Sequence, residues 1–142
     1  MKMWLGTLGF LVSTSVFAIA QFPEGNSVGG GSWKDGAGKS GEYKVEMQIK
    51  GNTIRSVYQW EKKEEVFTFH ADFKPNGFFA VKMGKDVVGE GYCGDVQCHY
   101  NVAVGPFRLE ETLTFREGNI YRLGSKVVDG HQIVWQEALE TK

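Results

Sequence analysis

Proline is scarce in this chain, with three residues in 142, and cysteine is scarcer, with two. So few prolines exclude a Pro-rich linker between domains, and two cysteines exclude the dense disulfide scaffold of very small secreted folds. No block of like charge and no low-complexity tract interrupts the sequence, whose 16 basic and 17 acidic residues give a net charge of −1. A protein that tracks phosphates needs a clustered basic surplus, so nucleic acid is excluded as a partner. Also missing are a G-x-S-x-G or H-E-x-x-H motif, an ordered Ser-His-Asp set and a clustered carboxylate pair. The three histidines, His70, His99 and His131, fall on separate segments. The chain therefore reads as non-enzymatic and without a metal site. No window of eleven or more residues favours the 3.6-residue period over the 2.0-residue one, except weakly over Glu137 to Lys142, which excludes a helical domain.

The N-terminus carries an export signal. Lys2 gives a small positive start, Trp4 to Phe17 an apolar run broken only by Gly, Ser and Thr, and Ala18-Ile19-Ala20 a small-x-small cleavage site. The run is shorter than the roughly 20 apolar residues of a spanning helix. Residues 1–20 are accordingly assigned to a signal peptide, 21–30 to a flexible lead-in and 31–142 to one domain, exported to the periplasm or secreted. Removal of Lys2 leaves the mature chain slightly more acidic, and no cysteine stands near the cleavage site to be lipidated.

What the chain has in quantity is glycine, 19 residues, and aromatic side chains, 13%. That composition suits short strands joined by tight turns. Tyr43, Val45, Met47 and Ile49 alternate with charged and polar neighbours, Gly51-Asn52 is a turn dipeptide, and Thr53 to Trp60 returns from it. Phe67, Phe69, Ala71 and Phe73 mark the next strand, which ends at Lys74-Pro75-Asn76-Gly77. Further strands are expected over Phe78 to Met83, Val87 to Cys93, Cys98 to Val104, Phe107 to Arg116, Ile120 to Val128 and His131 to Leu139, with Gly31 to Asp35 as the first. About eight to ten strands at this spacing form an all-β antiparallel up-and-down meander. Closing it into a barrel removes both sheet edges and encloses an interior that side chains fill or that holds one small ligand. Membrane barrels also alternate, but Lys142 in place of a terminal aromatic and the lack of aromatic girdles argue against stable membrane insertion.

Gly31-Ser32-Trp33 resembles the G-x-W signature near the start of lipocalins and other calycins, and Gly31 to Trp60 is similar to the first three strands of bacterial lipocalin-like domains. The resemblance implies that Trp33 packs across the closed end of the barrel against a late arginine, for which Arg122 is the nearest candidate. It further implies a cup for an apolar or amphipathic small molecule, without catalysis; no cofactor is expected.

Gly89 to Gly94 reads G-x-G-x-x-G, yet Asp95 to Val104 alternates as a strand where a dinucleotide site needs a helix. The glycines are therefore expected to serve a bulge or bend. Cys93 and Cys98, an even pair in an exported chain, are expected to form a disulfide. Carboxylates at inward positions need partners: Glu111 shares a face with Phe107, Leu109, Leu113 and Phe115, while His131 and Glu137 share one with Ile133, Trp135 and Leu139, and Arg55 or Arg122 is the available cation. The bland alternative to a ligand site is a bulge or an internal ion pair. The candidate ligand site comprises Tyr58, Glu111, Arg122 and His131 as polar groups and Trp60, Phe67, Phe69, Phe79 and Trp135 as walls. Haem ligated by His131, as in nitrobindin-type barrels, is a variant. The second functional reading is a filled barrel that binds a protein partner in the cell envelope through loop residues such as Asp95 and Gln97.

Overall fold

The computed structural model describes residues 22–142; the expected signal peptide lies outside the described residues. Ten strands follow one another: β1 (Gly25–Asp35), β2 (Ser40–Lys50), β3 (Thr53–Trp60), β4 (Lys63–Phe73), β5 (Phe78–Met83), β6 (Asp86–Cys93), β7 (Gln97–Val104), β8 (Phe107–Arg116), β9 (Asn119–Val128) and β10 (His131–Thr141). Each pairs antiparallel with the next, and β1 pairs with β10, so the meander closes as an up-and-down barrel with no free edge. The all-β, antiparallel up-and-down barrel expected from the residue pattern is the fold observed. The weak helical period near the C-terminus gives way to β10, which continues to Thr141.

Turn chemistry sets the hairpins. Gly51 and Asn52 both take positive φ (56° and 62°), as do Glu117 with Gly118 and Asp129 with Gly130, the backbone a two-residue hairpin turn matched to strand twist requires. Alternation then sorts each strand into an outer polar face and an inner apolar one; β2 buries Tyr43, Val45, Met47 and Ile49 and exposes the residues between them. Register shifts between Val81 and Lys82, opposite the glycine-rich β6. A Cβ on Gly89 would stand 1.8 Å from the Asn101 carbonyl oxygen and one on Gly91 2.4 Å from the Phe79 ring, so these two glycines of the G-x-G-x-x-G stretch serve close approach in a strand.

The barrel is closed at one end. Phe22 is buried there and meets Phe69, Phe73 and Phe79 edge-on at centroid distances of 6.3, 5.3 and 5.6 Å. Such pairs contribute roughly 0.5–1.5 kcal/mol each beyond the area they bury. The lead-in expected to be flexible over 21–30 is thus corrected: Gly25 to Gly30 pair with β2, Ser27 to Gly30 pair with β10 as well, and Phe22 belongs to the core. A glycine-rich segment with few side chains to alternate shows no period, although its backbone bonds on both sides. Cys93 and Cys98 face one another across β6 and β7 and are disulfide-bonded.

Candidate functional site

Midway along the axis the apolar interior gives way to a polar layer. Glu137 on β10 lies opposite Arg122 on β9, and Tyr43 on β2 lies opposite Gly31 on β1, which in turn lies opposite Glu137. Arg122 Nε donates to Glu137 Oε2 at 2.6 Å, and its Nη1 donates to Ser56 Oγ at 3.0 Å. Nη2 is 2.5 Å from the same Oε2, close enough for an ion pair but off the direction of a hydrogen bond. Tyr43 donates its hydroxyl to Glu137 Oε1 at 2.7 Å, and Tyr100 donates to Glu111 Oε2. Glu111 Oε1 is 3.8 Å from Arg122 Nε, and the guanidinium carbon sits 5.4 Å from the Tyr58 ring centroid.

Burial dominates the electrostatics of this layer. Desolvation pulls the Arg122 guanidinium down, but Glu111, Tyr58 and Glu137 together outweigh it and hold its pKa above the ordinary value. Desolvation raises the Glu137 carboxyl, with Arg122 opposing and Glu111 adding. Burial also lifts the Tyr43, Tyr58 and Tyr100 phenols, which stay protonated and able to donate. Paired in this way, the buried ions are tolerated in the barrel interior.

Above this layer the barrel is hollow. A cavity of about 400 Å³ is bounded by Trp33, Tyr43, Tyr58, Trp60, Phe67, Phe107, Leu109, Ile133 and Trp135, with Glu65 and Lys126 as its charged members. This volume falls in the range of small-molecule sites, as does the largely aromatic lining with a few polar groups. Trp33, Trp60, Phe67, Phe107, Ile133 and Trp135 keep part of their surface exposed, so the cup opens to solvent. Larger depressions of about 550 and 720 Å³ run along the barrel's outer wall past outward residues such as Ser32, Glu42, Leu123 and Gln136.

Glycines make the cup. Trp33 lies opposite both Trp135 on β10 and Gly41 on β2, and Trp135 lies opposite Gly124 on β9. A Cβ on Gly41 would stand 2.7 Å from the Trp33 indole nitrogen, and one on Gly124 would stand 2.3 Å from the Trp135 ring. Each indole therefore lies flat over a wall glycine rather than crossing the lumen. Tyr43 covers Gly31 in the same manner.

Of the residues expected at a ligand site, Tyr58, Trp60, Phe67 and Trp135 line the cup. Glu111 and Arg122 form its polar floor, so Glu111 is paired internally and turned inward, and Arg122 rather than Arg55 is the cation. Phe69 and Phe79 lie elsewhere, packed around Phe22 in the closed half. His131 is exposed at the start of β10, outside the cup lining, so it does not join the other polar residues expected there. Trp33 corrects a further expectation. It lines the cup, at the opposite end of the barrel from Phe22, and the ring that packs on the Arg122 guanidinium is that of Tyr58. Tyr43, Glu65, Phe107, Leu109, Lys126 and Ile133 also line the cup but were not among the residues expected at a ligand site. The available signal was parity, since Lys126 follows Ile120, Arg122 and Gly124 on the inward face of β9.

No family model matches the chain, and no curated protein matches it. Among solved structures the barrel is similar to the S-type phycobiliprotein lyase CPES from Guillardia theta, with a TM-score of 0.64 and 11% identity over 84% of this chain and 88% of that one. The likeness is one of fold.

Proposed function

We propose that this protein is an exported, non-catalytic barrel that holds one apolar or amphipathic small molecule in the cup between Trp33, Trp60 and Trp135. The observation that carries the reading is a solvent-connected aromatic cavity of about 400 Å³ above a fully buried polar floor. A barrel meant only as a scaffold would gain by filling that space, as the Phe22 end does. The structural neighbour's name, a phycobiliprotein lyase, is consistent with a barrel that handles a small molecule. Export is supported by the N-terminal segment and by the Cys93–Cys98 disulfide, which persists in an oxidising compartment.

Native mass spectrometry of the chain recovered from an oxidising export compartment tests this reading. A reproducible mass excess that denaturation removes, absent from Trp60→Ala, is the expected result. A bare chain that also fails to quench its tryptophans with any apolar probe would refute it. A second reading, an envelope interaction module, is favoured by the exposed Phe78 and Tyr92, which pair on the outer wall with ring centroids 5.9 Å apart beside the Asp95 to Gln97 turn.

A further inference from the structure

We propose that the cup takes its ligand body-first, with an anionic head left at the mouth and held by Lys126. The inference rests on the reading that the cup is the binding site, and it adds the chemical class of the occupant. Lys126 lies opposite Leu109 on β8 and Ile133 on β10, both of which line the cavity, as Lys126 itself does. Lys126 is half-buried, so its aliphatic stem can cover the cup wall while its charged head turns towards solvent. Among the described residues Lys126 makes no ion pair and no side-chain hydrogen bond.

The other charged groups of the cup lining and its floor have side-chain partners. Glu65, at the same mouth, is bonded by Lys63. Glu111 and Glu137 are taken by Tyr100, Tyr43 and Arg122. Lys63 at the same rim is already paired with Glu65, so the cation left without a partner is Lys126, and a carboxylate, sulfonate or phosphate on an apolar body completes it. The floor sets the orientation. Arg122 there is already ion-paired with both Glu111 and Glu137, so the floor offers an anion no net positive charge. The aromatic walls between floor and mouth receive the apolar body.

Two fluorescent probes that share one arene separate head from body: 1-anilinonaphthalene-8-sulfonate and the uncharged N-phenyl-1-naphthylamine. Binding to the full chain should favour the sulfonate about fivefold, the upper range for one partly exposed ion pair. Lys126→Met should abolish that advantage while leaving the neutral probe within about twofold, Lys126→Arg should keep it, and about 0.5 M salt should erase it in the parent protein. Equal binding of the two probes by the parent, or a sulfonate advantage that survives Lys126→Met, overturns the inference and leaves the cup reading standing. Failure of both probes to bind refutes the cup reading and this inference with it.

Discussion

The two ends of this barrel are built from the same ten strands and the same kinds of side chain, yet one is solid and the other hollow. At the closed end Phe22 enters from outside the strand repeat and supplies the ring around which Phe69, Phe73 and Phe79 pack. Loops there are also tied to one another by backbone bonds beyond the strand ladders, Cys93 to Gly77, Phe115 to Val96, Thr141 to Gly118 and Lys142 to Asn26. At the cup end Gly36 to Gln132 is the corresponding tie among the described residues, and the two indoles of Trp33 and Trp135 lie against wall glycines. About eight strands give an interior that wall side chains just fill. Ten leave room at the axis, so either an extra group is inserted, as at the Phe22 end, or a cavity remains. The difference between a plug and a pocket is then one residue outside the strands and two glycines within them.

The polar layer separates the two halves, and breaking it should have the largest effect. Arg122→Ala strands Glu111 and Glu137 as buried charges without a cation, and removing one partner of a buried pair costs about 3–5 kcal/mol. Denaturant unfolding should show that loss, and the added changes Glu111→Gln and Glu137→Gln should recover part of it. A loss below about 1 kcal/mol would mean that the layer is wetter than its burial implies.

Next comes a direct contrast of the halves. Phe22→Ala should cost about 3–4 kcal/mol, because the rings around it lose a central partner and close in only partly. Trp60→Ala, at a half-exposed cup position, should cost far less stability while reducing retention of an apolar probe. If the two substitutions destabilise equally, the cup is as tightly packed as the plug and the distinction drawn above fails.

Much of this architecture was legible in the residue pattern. Strands from Thr53 to Trp60 and from Phe107 to Arg116 follow from the period of two, and their hairpins follow from Gly51-Asn52 and Glu117-Gly118. The start of β1 was not, because four of the seven residues from Gly25 to Gly31 are glycine and leave too few side chains to show alternation. Parity also placed Phe67 and Phe69 on one inward face, but they lie at successive depths, and depth depends on strand tilt after closure. For the same reason Phe69 and Phe79 read as pocket walls and prove to be plug. Trp33 and Trp135 as glycine covers require the cross-strand partners Gly41 and Gly124, which a linear chain does not reveal.

The disulfide belongs to the closed end and should act there. Cys93 and Cys98 close a short loop, so replacing both by serine should cost on the order of 2 kcal/mol by the loop-closure account. Amide exchange should rise near Gly77, whose carbonyl accepts from the Cys93 amide, and leave the cup tryptophans unchanged. A change in cup fluorescence of similar size would show that the halves are coupled across the polar layer.

The smallest effect concerns the pH dependence of that layer. Burial holds the folded-state pKa of Glu137 above the ordinary carboxyl value of 4.5. The folded protein then binds this proton more tightly than the unfolded chain does, so the contribution of Glu137 to stability is fully present below about pH 4.5 and declines as pH rises through the elevated folded value. This is opposite in sign to the usual salt-bridged carboxylate, which stabilises on ionising. Glu137→Gln keeps an acceptor for the Tyr43 hydroxyl and removes the titration. Unfolding free energies measured from pH 4 to 7 should therefore fall less steeply, or rise more, in Glu137→Gln than in the parent. Parallel curves would show that desolvation at Glu137 is fully offset by Arg122, leaving the polar layer silent to pH and the plug and cup equally indifferent to it.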